Sequence, residues 1–182
     1  MIHKLKSNDR EAYNELVALY KNSVINTCYR FLLDKQDAED VSQDVFIEIF
    51  QSIHSFRGDA QLSTWVYRIT VTKCLDEIKK RKRKKRFAAL SKLLHIDDVG
   101  HWLAGGKMPD QSLQEHEKMD AIAQVLNRLP DNQRIAFTLC KLEGFSNPEI
   151  AEIMGITTIA VESLVYRAKK KAATHLEIIL KK

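Results

Sequence analysis

The stretch from Ser146 to Lys171 constrains the fold of this chain more than any other part of its sequence. Ser146 is a favourable N-cap residue, and Glu149 completes the capping-box pattern that starts a helix. Pro148 lies in the first turn, where its missing N–H has little cost. Gly155 can adopt the left-handed backbone conformation that ends a helix. The stretch therefore predicts two helices joined by a tight turn.

The second of these helices is predicted to begin after Thr157 or Thr158, because either threonine can cap it. Its inward residues recur at helical spacing and are Val161, Leu164, Val165, Ala168 and Ala172. The opposite face carries Glu162, Ser163, Tyr166, Arg167 and Lys170. Such a face is typical of a helix-turn-helix whose second helix enters the major groove of DNA. An ordinary helical hairpin with a solvated outer face is the alternative.

The composition indicates an all-α protein. Apolar residues make up 45% of the 182 residues and charged residues 29%, whereas only 6 Gly and 3 Pro are present. The sequence has no run of about 18 apolar residues and no apolar signal segment at its N-terminus, so neither membrane insertion nor export is expected. Cys28, Cys74 and Cys140 lack paired spacing, which predicts reduced thiols in a cytoplasmic protein.

The net charge of +5 is distributed unevenly along the chain. Residues 1–78 have an excess of acidic groups, whereas residues 79–86 (KKRKRKKR) are all basic. A basic run can neutralise phosphates, so it favours nucleic acid as one partner, and the acidic front favours a second partner with a basic surface. A solvated helix end or a disordered spacer is the simpler explanation of the basic run.

Three helices are predicted in the N-terminal half, within residues 5–33, over about residues 38–54, and from residue 63 or 64 to residue 86. The first turns of the middle helix suit the positive end of the helix dipole and form an acidic face; they contain Asp37, Glu39, Asp40 and Asp44. The third helix places Trp65 and Tyr67 beside Arg68 and Lys73. Aromatic rings beside cations favour single-stranded DNA, and the alternative is that both rings are core residues, which explains Trp65 equally well.

The chain is predicted to divide into an N-terminal domain (1–86), a flexible linker (87–113) and a C-terminal domain of four helices (114–182). The linker contains the Gly-Gly and Met-Pro pairs of the chain, with short helical pieces expected near 90–94 and 101–103. Acidic and histidine side chains gather there, at His95, Asp97, Asp98 and His101. No zinc spacing is matched, so no metal site is predicted.

Several motifs in order give the chain a family resemblance. Residues 37–46 (DAEDVSQDVF), 56–59 (FRGD) and 64–69 (TWVYRI) are followed by Leu129-Pro130, residues 144–151 (GFSNPEIA) and Gly155-Ile156. In this order they resemble the extracytoplasmic-function (ECF) sigma factors of the bacterial sigma-seventy family, and the resemblance covers nearly the whole chain.

The resemblance implies three sets of contacts, with no catalytic residue, cofactor or metal. The set for the clamp helices of RNA polymerase is Asp37, Glu39, Asp40, Gln43, Asp44 and Phe46. The set for the melted −10 promoter element is Phe56, Arg57, Asp59, Trp65, Tyr67, Arg68, Thr72, Lys73, Lys79, Lys80 and Arg81. The set for the duplex −35 element is Ser146, Thr157, Thr158, Glu162, Ser163, Tyr166, Arg167 and Lys170. The family also implies contact with the polymerase flap and control by an anti-sigma factor.

Two departures from the family pattern affect which bases would be read. Thr72 stands where many relatives have an Asn that helps to read a flipped base. Glu162 and Leu164 stand where many relatives have Arg or Lys, and Glu162 is instead suited to accept a hydrogen bond from a cytosine amino group.

Two other functions compete with the sigma-factor interpretation. A stand-alone dimeric helix-turn-helix regulator would explain the C-terminal half but leave residues 37–46 and 65–68 without a role. A DNA-processing enzyme is disfavoured because the histidines are scattered and no nucleophile–base pair is evident. A further hypothesis is that the linker folds the two domains together and hides the DNA surfaces until polymerase binds.

Overall fold

The computed structural model describes residues 2–93 and 122–180, and within these ranges it contains helices and no strands. The helices are α1 (Ile2–Lys6), α2 (Arg10–Leu32), α3 (Lys35–Ser52), a 3-10 turn (Ile53–Ser55), α4 (Leu62–Leu93), α5 (122–127), α6 (Asp131–Lys141), α7 (Asn147–Met154) and α8 (Thr158–Leu180). The predicted all-α fold is confirmed. Residues 94–121, which hold most of the predicted linker and the His95–His101 group, lie outside the described residues.

Local capping explains how α2 and α3 are joined in a tight antiparallel pair. The Asp9 carboxylate accepts hydrogen bonds from the backbone N–H groups of Glu11 and Ala12 and so starts α2. Leu33 ends this helix in the left-handed conformation, with its N–H donating to the Tyr29 carbonyl. Asp34 then caps α3 by accepting from the N–H of Asp37. The turn fixes which face of α3 is left exposed.

Helix α4 is longer than the sequence analysis predicts, because it continues to Leu93 instead of ending at Arg86. The first residues assigned to the linker therefore belong to this helix. Acidic partners offset the mutual repulsion of the basic run: Lys79 pairs with Asp76 at 3.1 Å and Lys80 with Glu77 at 2.8 Å. Arg81 additionally pairs with the Asp37 carboxylate of α3.

The predicted helix-turn-helix is present as α7 and α8. The Ser146 N–H and hydroxyl both donate to the Glu149 carboxylate, at 2.8 and 2.6 Å, at the start of α7. Gly155 ends α7 with φ of 65°, a left-handed conformation in which a side chain would be strained. The Thr157 hydroxyl accepts from the Ala160 N–H at 3.2 Å, so Thr157, not Thr158, caps α8.

The two halves of the chain pack against each other, with α4 against α7 and α2 against α6. Their buried apolar residues form one continuous cluster, from Val24 and Phe31 of α2 through Val71 of α4 to Ile135 and Ile150 of the C-terminal half. A smaller cluster joins Leu126, Leu129 and Ala168. The structure therefore has the two halves folded together.

Candidate nucleic-acid and protein interfaces

The outer face of α8 is exposed as predicted. Glu162, Tyr166, Arg167 and Lys170 all project to solvent, whereas Val161, Val165 and Ala168 are buried on the other side of the helix. Ser163 and Thr158 are half-buried, and Thr157 is exposed with its hydroxyl used in the cap. Ser146 is exposed at the start of α7, and its hydrogen bonds to Glu149 lower the pKa of that carboxyl group. The helix can therefore present polar and cationic groups to a groove.

One exposed residue of α8 was not predicted. Ile159 is 78% exposed and lies on the same side of the helix as Glu162 and Tyr166. The exposure of Ile159 could have been predicted from its position in the helix, since residue 159 falls outside the apolar stripe that begins at Val161. Ile156 in the preceding turn is also partly exposed.

Helix α3 has an exposed stripe formed by Asp40, Gln43, Asp44, Ile47 and Phe50. We call these five residues the α3 stripe. Their spacing places them on successive turns of one helix face. The apolar part, Ile47 and Phe50, is not among the residues predicted for this interface. The Phe50 ring packs edge-on against Tyr13 with 5.2 Å between centroids and remains 49% exposed.

The other three residues predicted for this interface are less accessible. Asp37 is paired with Arg81, and Glu39 lies 3.9 Å from Lys35. Phe46 is half-buried, and its carbonyl accepts a 2.8 Å hydrogen bond from the Tyr13 hydroxyl. The part of the predicted set that faces solvent most openly is therefore Asp40, Gln43 and Asp44.

A cleft of about 320 Å³ lies between α3 and α4. It brings together four residues predicted to contact the −10 element, namely Trp65, Arg68, Thr72 and Lys73. The remainder of its lining comprises Glu48, Ser52, Ser55, Ile69 and Asp76. A cleft with an aromatic ring, two cations and hydroxyl groups can hold a planar, hydrogen-bonding ligand such as a nucleobase.

Hydrogen bonds fix the polar groups of this cleft. The Lys73 ammonium pairs with the Glu48 carboxylate at 2.8 Å, and the Thr72 hydroxyl donates to the Arg68 carbonyl at 2.8 Å. The Trp65 ring is backed by Phe56, with 5.3 Å between centroids. The cleft floor is thus built mainly from two helices that also carry the core.

The loop before α4 contributes less than predicted. Arg57 and Asp59 are exposed on either side of Gly58, whose φ of 85° produces the turn. Phe56, however, is only 4% exposed, so in this structure its ring faces the core and not the surface predicted to meet DNA. Its ring supports Trp65 from within the core, because burial of an aromatic ring is more favourable than its exposure here.

Tyr67 is the second predicted DNA contact that the structure places in the interior. It is 6% exposed, and its ring packs edge-on against Phe145 of the C-terminal half with 4.8 Å between centroids. Its hydroxyl donates to Glu143 at 2.7 Å. Burial, together with this acidic acceptor, raises the pKa of Tyr67 to about 12. In the packed arrangement the Tyr67 ring is therefore a core residue, covered by the C-terminal half.

Glu143, which the sequence analysis did not single out, connects the two halves. Its carboxylate accepts from the Thr27 hydroxyl at 2.8 Å, from Arg30 Nη1 at 2.6 Å and from the Tyr67 hydroxyl at 2.7 Å. We call these four residues the Glu143 cluster. The Glu143 side chain is only 10% exposed, so the contacts lie in a partly dehydrated environment where they are stronger than on the surface.

Arg134 and Asp131 of α6 make a second polar connection between the halves. Arg134 Nε donates to the Phe31 carbonyl at 2.9 Å. The Asp131 carboxylate forms salt bridges with Arg134, at 2.7 Å, and with Lys82 of α4, at 2.6 Å. Burial raises the pKa of Asp131, but the bonds and charges of Lys82 and Arg134 outweigh it and leave the pKa below its usual value. Part of the basic run therefore contacts protein.

The remaining predicted −10 residues lie along α4. Lys79 and Lys80 are exposed, and Arg81 is half-buried with Nη1 donating to the Leu32 carbonyl at 3.0 Å. Within the described residues no cluster of three or more His, Cys, Asp or Glu side chains is arranged to bind a metal, and no helix is long and apolar enough to span a membrane. The three cysteines are free thiols, with 3.7 Å between the sulfurs of Cys28 and Cys74.

Both halves of the chain match families of known proteins. Residues 16–84 match the family description "Sigma-70 region 2" and residues 119–171 match "Sigma-70, region 4". RNA polymerase sigma-H factor of Pseudomonas aeruginosa is 27% identical over 182 residues, which is 100% of this chain and 94% of the relative. ECF RNA polymerase sigma factor SigW of Bacillus subtilis is 29% identical over 170 residues, or 93% of this chain and 91% of the relative.

Solved structures agree on the fold. The sigma factor RpoE in complex with the anti-sigma factor NepR from Bartonella quintana has a TM-score of 0.70 at 21% identity, covering 92% of this chain and 98% of that one. CnrH in complex with the cytosolic domain of CnrY has a TM-score of 0.69 at 21% identity, covering 97% and 95%. Because regions 2 and 4 match in order and the relatives align along nearly their whole length, the chain belongs to the sigma-70 family, in its ECF group.

Proposed function

We propose that this chain directs core RNA polymerase to a defined set of promoters by docking through the α3 stripe and by reading the −35 element with α8. The observation that carries the proposal is that one chain of this family presents both faces to solvent, a carboxylate-bearing stripe on α3 and a polar, cationic face on α8. A carboxylate stripe suits a basic partner surface, and the α8 face suits a major groove.

The cleft between α3 and α4 is proposed to receive a base of the melted −10 element. Trp65 offers a ring for stacking, Arg68 lies exposed at the rim, and Thr72 supplies a hydroxyl group. Arg57, Asp59, Lys79 and Lys80 are exposed on the loop and helix around it, and the lysines would contact phosphates. In this proposal residues 1–86 act on polymerase and the −10 element, and residues 114–182 act on the −35 element and the flap.

The proposal assigns no catalytic step to the chain, since RNA synthesis belongs to the core enzyme, and places its action in the cytoplasm with that enzyme. RpoE and CnrH, which share this fold, are held by partner proteins in their solved complexes. By analogy we propose an anti-sigma factor that covers the α3 stripe and so prevents docking.

We also propose that the packed arrangement is the resting form of the free chain. It covers Tyr67 and engages Lys82, but it leaves the α8 face and the α3–α4 cleft open. The hypothesis that packing hides all DNA surfaces is therefore replaced by a narrower one, in which packing limits how far apart the two DNA-reading parts can lie.

Run-off transcription tests the proposed function directly. The purified chain is combined with bacterial core polymerase on a fragmented library of the host genome, and specific start sites are expected. Asp40→Ala with Gln43→Ala should abolish them, because both side chains belong to the α3 stripe. The matched control, Asn14→Ala with Glu15→Ala, removes one amide and one carboxylate from an exposed part of α2 and should retain them.

Failure to produce any specific transcript, together with failure to co-purify with core polymerase, would contradict the proposal. The same library would then be used to search for a palindromic duplex site bound by the chain alone, as a dimeric regulator requires. The relatives and both family matches favour the sigma factor over that alternative.

A further inference from the structure

Ile159 is the most exposed large apolar side chain among the described residues, at 78%. It occupies the first turn of α8, one residue after Thr158, where the helix begins. No packing reason holds an isoleucine at this position, since Val161 and Val165 supply the buried face of the same helix. Exposure of a branched apolar side chain is unfavourable in water, so its presence is better explained by a ligand that covers it.

The first turn of a recognition helix is the part that approaches base edges most closely. The Thr157 hydroxyl is occupied by the Ala160 N–H, which leaves Ile159 as the side chain that extends furthest from this turn. In the major groove the base pairs present hydrogen-bonding groups and one apolar group, the C5-methyl of thymine. An aliphatic side chain without hydrogen-bonding atoms can recognise only the apolar one.

We propose that Ile159 is a specificity-determining residue that contacts the C5-methyl group of a thymine in the −35 element. The inference rests on the proposed function and specifies one base within it. Charge favours DNA over a protein as the covering partner, because four exposed residues further along α8 are cationic, against the single exposed carboxylate of Glu162 among the described side chains of this helix: Arg167, Lys169, Lys170 and Lys171. These cations suit the phosphates that flank a base contact.

The position of the thymine follows from the register of α8. Glu162, which is suited to a cytosine amino group, lies three residues further along the same exposed face, about 4.5 Å along the helix axis. Base pairs are spaced by about 3.4 Å. The thymine read by Ile159 therefore lies within about two base pairs of the position at which Glu162 discriminates.

The test replaces each −35 thymine singly with deoxyuridine, which removes only the methyl group. A promoter found by run-off transcription is used, and the holoenzyme's affinity is measured by competition between substituted and unsubstituted fragments. For the wild-type holoenzyme we expect a loss of about fourfold at one thymine, corresponding to ~0.8 kcal/mol for one buried methyl group. With Ile159→Ala, affinity for the unsubstituted promoter should fall similarly, and the deoxyuridine at that position should have no further effect.

Leu19→Ala is the matched control, because Leu19 is an exposed aliphatic residue of α2 at 63%. It should retain the full deoxyuridine effect. Equal responses of wild type and Ile159→Ala at every thymine, or no response of the wild type at any thymine, would overturn the proposal. So would loss of core polymerase binding by Ile159→Ala, which would assign the residue to a protein interface. Absence of specific transcription by the wild type would instead reject the proposed function, and this inference with it.

Discussion

Glu143 illustrates how one side chain can join two parts of a chain that are distant in sequence. Its three partners are Thr27 and Arg30 of α2 and Tyr67 of α4. A buried carboxylate is costly without partners, and here both oxygens are satisfied, one of them by a charged group. The cluster is therefore stable only when the two halves are in contact.

Glu143→Gln should destabilise the chain while preserving side-chain size. The charge that Arg30 faces is lost, and the amide group offers one acceptor atom where the carboxylate offers two. Since a hydrogen bond to a charged group contributes about 1.5–3 kcal/mol, we expect the free energy of unfolding to fall by about that amount, measured by urea denaturation. Glu152→Gln on the exposed side of α7 is the control and should change it by less than about 0.5 kcal/mol. Equal stability of the two variants would contradict the role of the cluster.

Because of Tyr67, the stability that the Glu143 cluster contributes should depend on pH in the alkaline range. Its pKa is raised to about 12 in the folded chain, above the ordinary value of 10.0, so the neutral phenol is the form that folding favours. The resulting stabilisation is complete below pH 10 and is lost as pH rises from about 10 towards 12. Titration of phenolate absorbance should show one tyrosine fewer ionising near pH 12 in Tyr67→Phe than in the wild type. A Tyr67→Phe titration curve that matches the wild-type curve in this range would contradict the assignment to Tyr67.

At the scale of single elements, the helix-turn-helix could be predicted almost completely from sequence. Ser146, Glu149 and Gly155 act through hydrogen bonds and backbone angles within their own turn, so neighbours in sequence are enough to identify them. The sequence could not decide between Thr157 and Thr158 as the cap of α8, and the structure shows Thr157. The outward position of Ile159 follows from its register, since it precedes the apolar stripe that begins at Val161.

Gly155 allows a direct test of how a single residue ends helix α7. At φ of 65° an added Cβ would meet no atom within 4 Å, so any cost of a side chain arises from the backbone alone. Gly155→Ala should reduce the free energy of unfolding by about 1–2 kcal/mol, whereas Gly155→Asn should cost less, because asparagine tolerates the left-handed region better. Thermal unfolding compares the two. An alanine variant as stable as the asparagine variant would show that the turn adjusts its geometry.

Helix α8 as a whole should show two kinds of DNA contact. Arg167→Ala and Lys170→Ala should each weaken holoenzyme binding on every promoter sequence and lower the salt slope by about one, as expected for phosphate contacts. Glu162→Ala should instead relax discrimination at a single upstream base pair. Binding is measured across salt concentrations and across all single-base promoter variants. A base-specific effect of Arg167→Ala, or an unchanged specificity profile of Glu162→Ala, would contradict these assignments.

Other elements could not be predicted because their causes are non-local. The contacts of the basic run with protein depend on Asp37 and Asp131, which approach it from α3 and α6. The burial of Phe56 and Tyr67 depends on Trp65 and Phe145. In each case a residue suited to contact DNA instead contacts a protein partner that only the tertiary fold brings near. Composition and spacing therefore cannot predict these contacts.

At the scale of the whole molecule, the free chain is expected to keep its halves together and the promoter-bound chain to separate them. Dyes attached through Leu19→Cys in α2 and Ala173→Cys in α8, with Cys140→Ser, report the distance between the halves. Energy transfer should be high in the free chain and fall in the holoenzyme on promoter DNA. Leu19→Cys with Gln51→Cys, both in the N-terminal half, is the control and should stay constant. Low transfer in the free chain would contradict the packed resting form.

The packed arrangement of the halves also limits the distance that the chain can span along the promoter. A compact chain of this size has a radius of gyration of roughly 16 Å and is about 40 Å across. The −10 and −35 elements are separated by about 85 Å of duplex at 3.4 Å per base pair. The packed form is shorter than this separation, so it does not reach both elements at once. In the proposed function, binding to both elements therefore requires the Glu143 cluster to break, which makes the strength of that one carboxylate's contacts a threshold that polymerase and promoter together have to exceed.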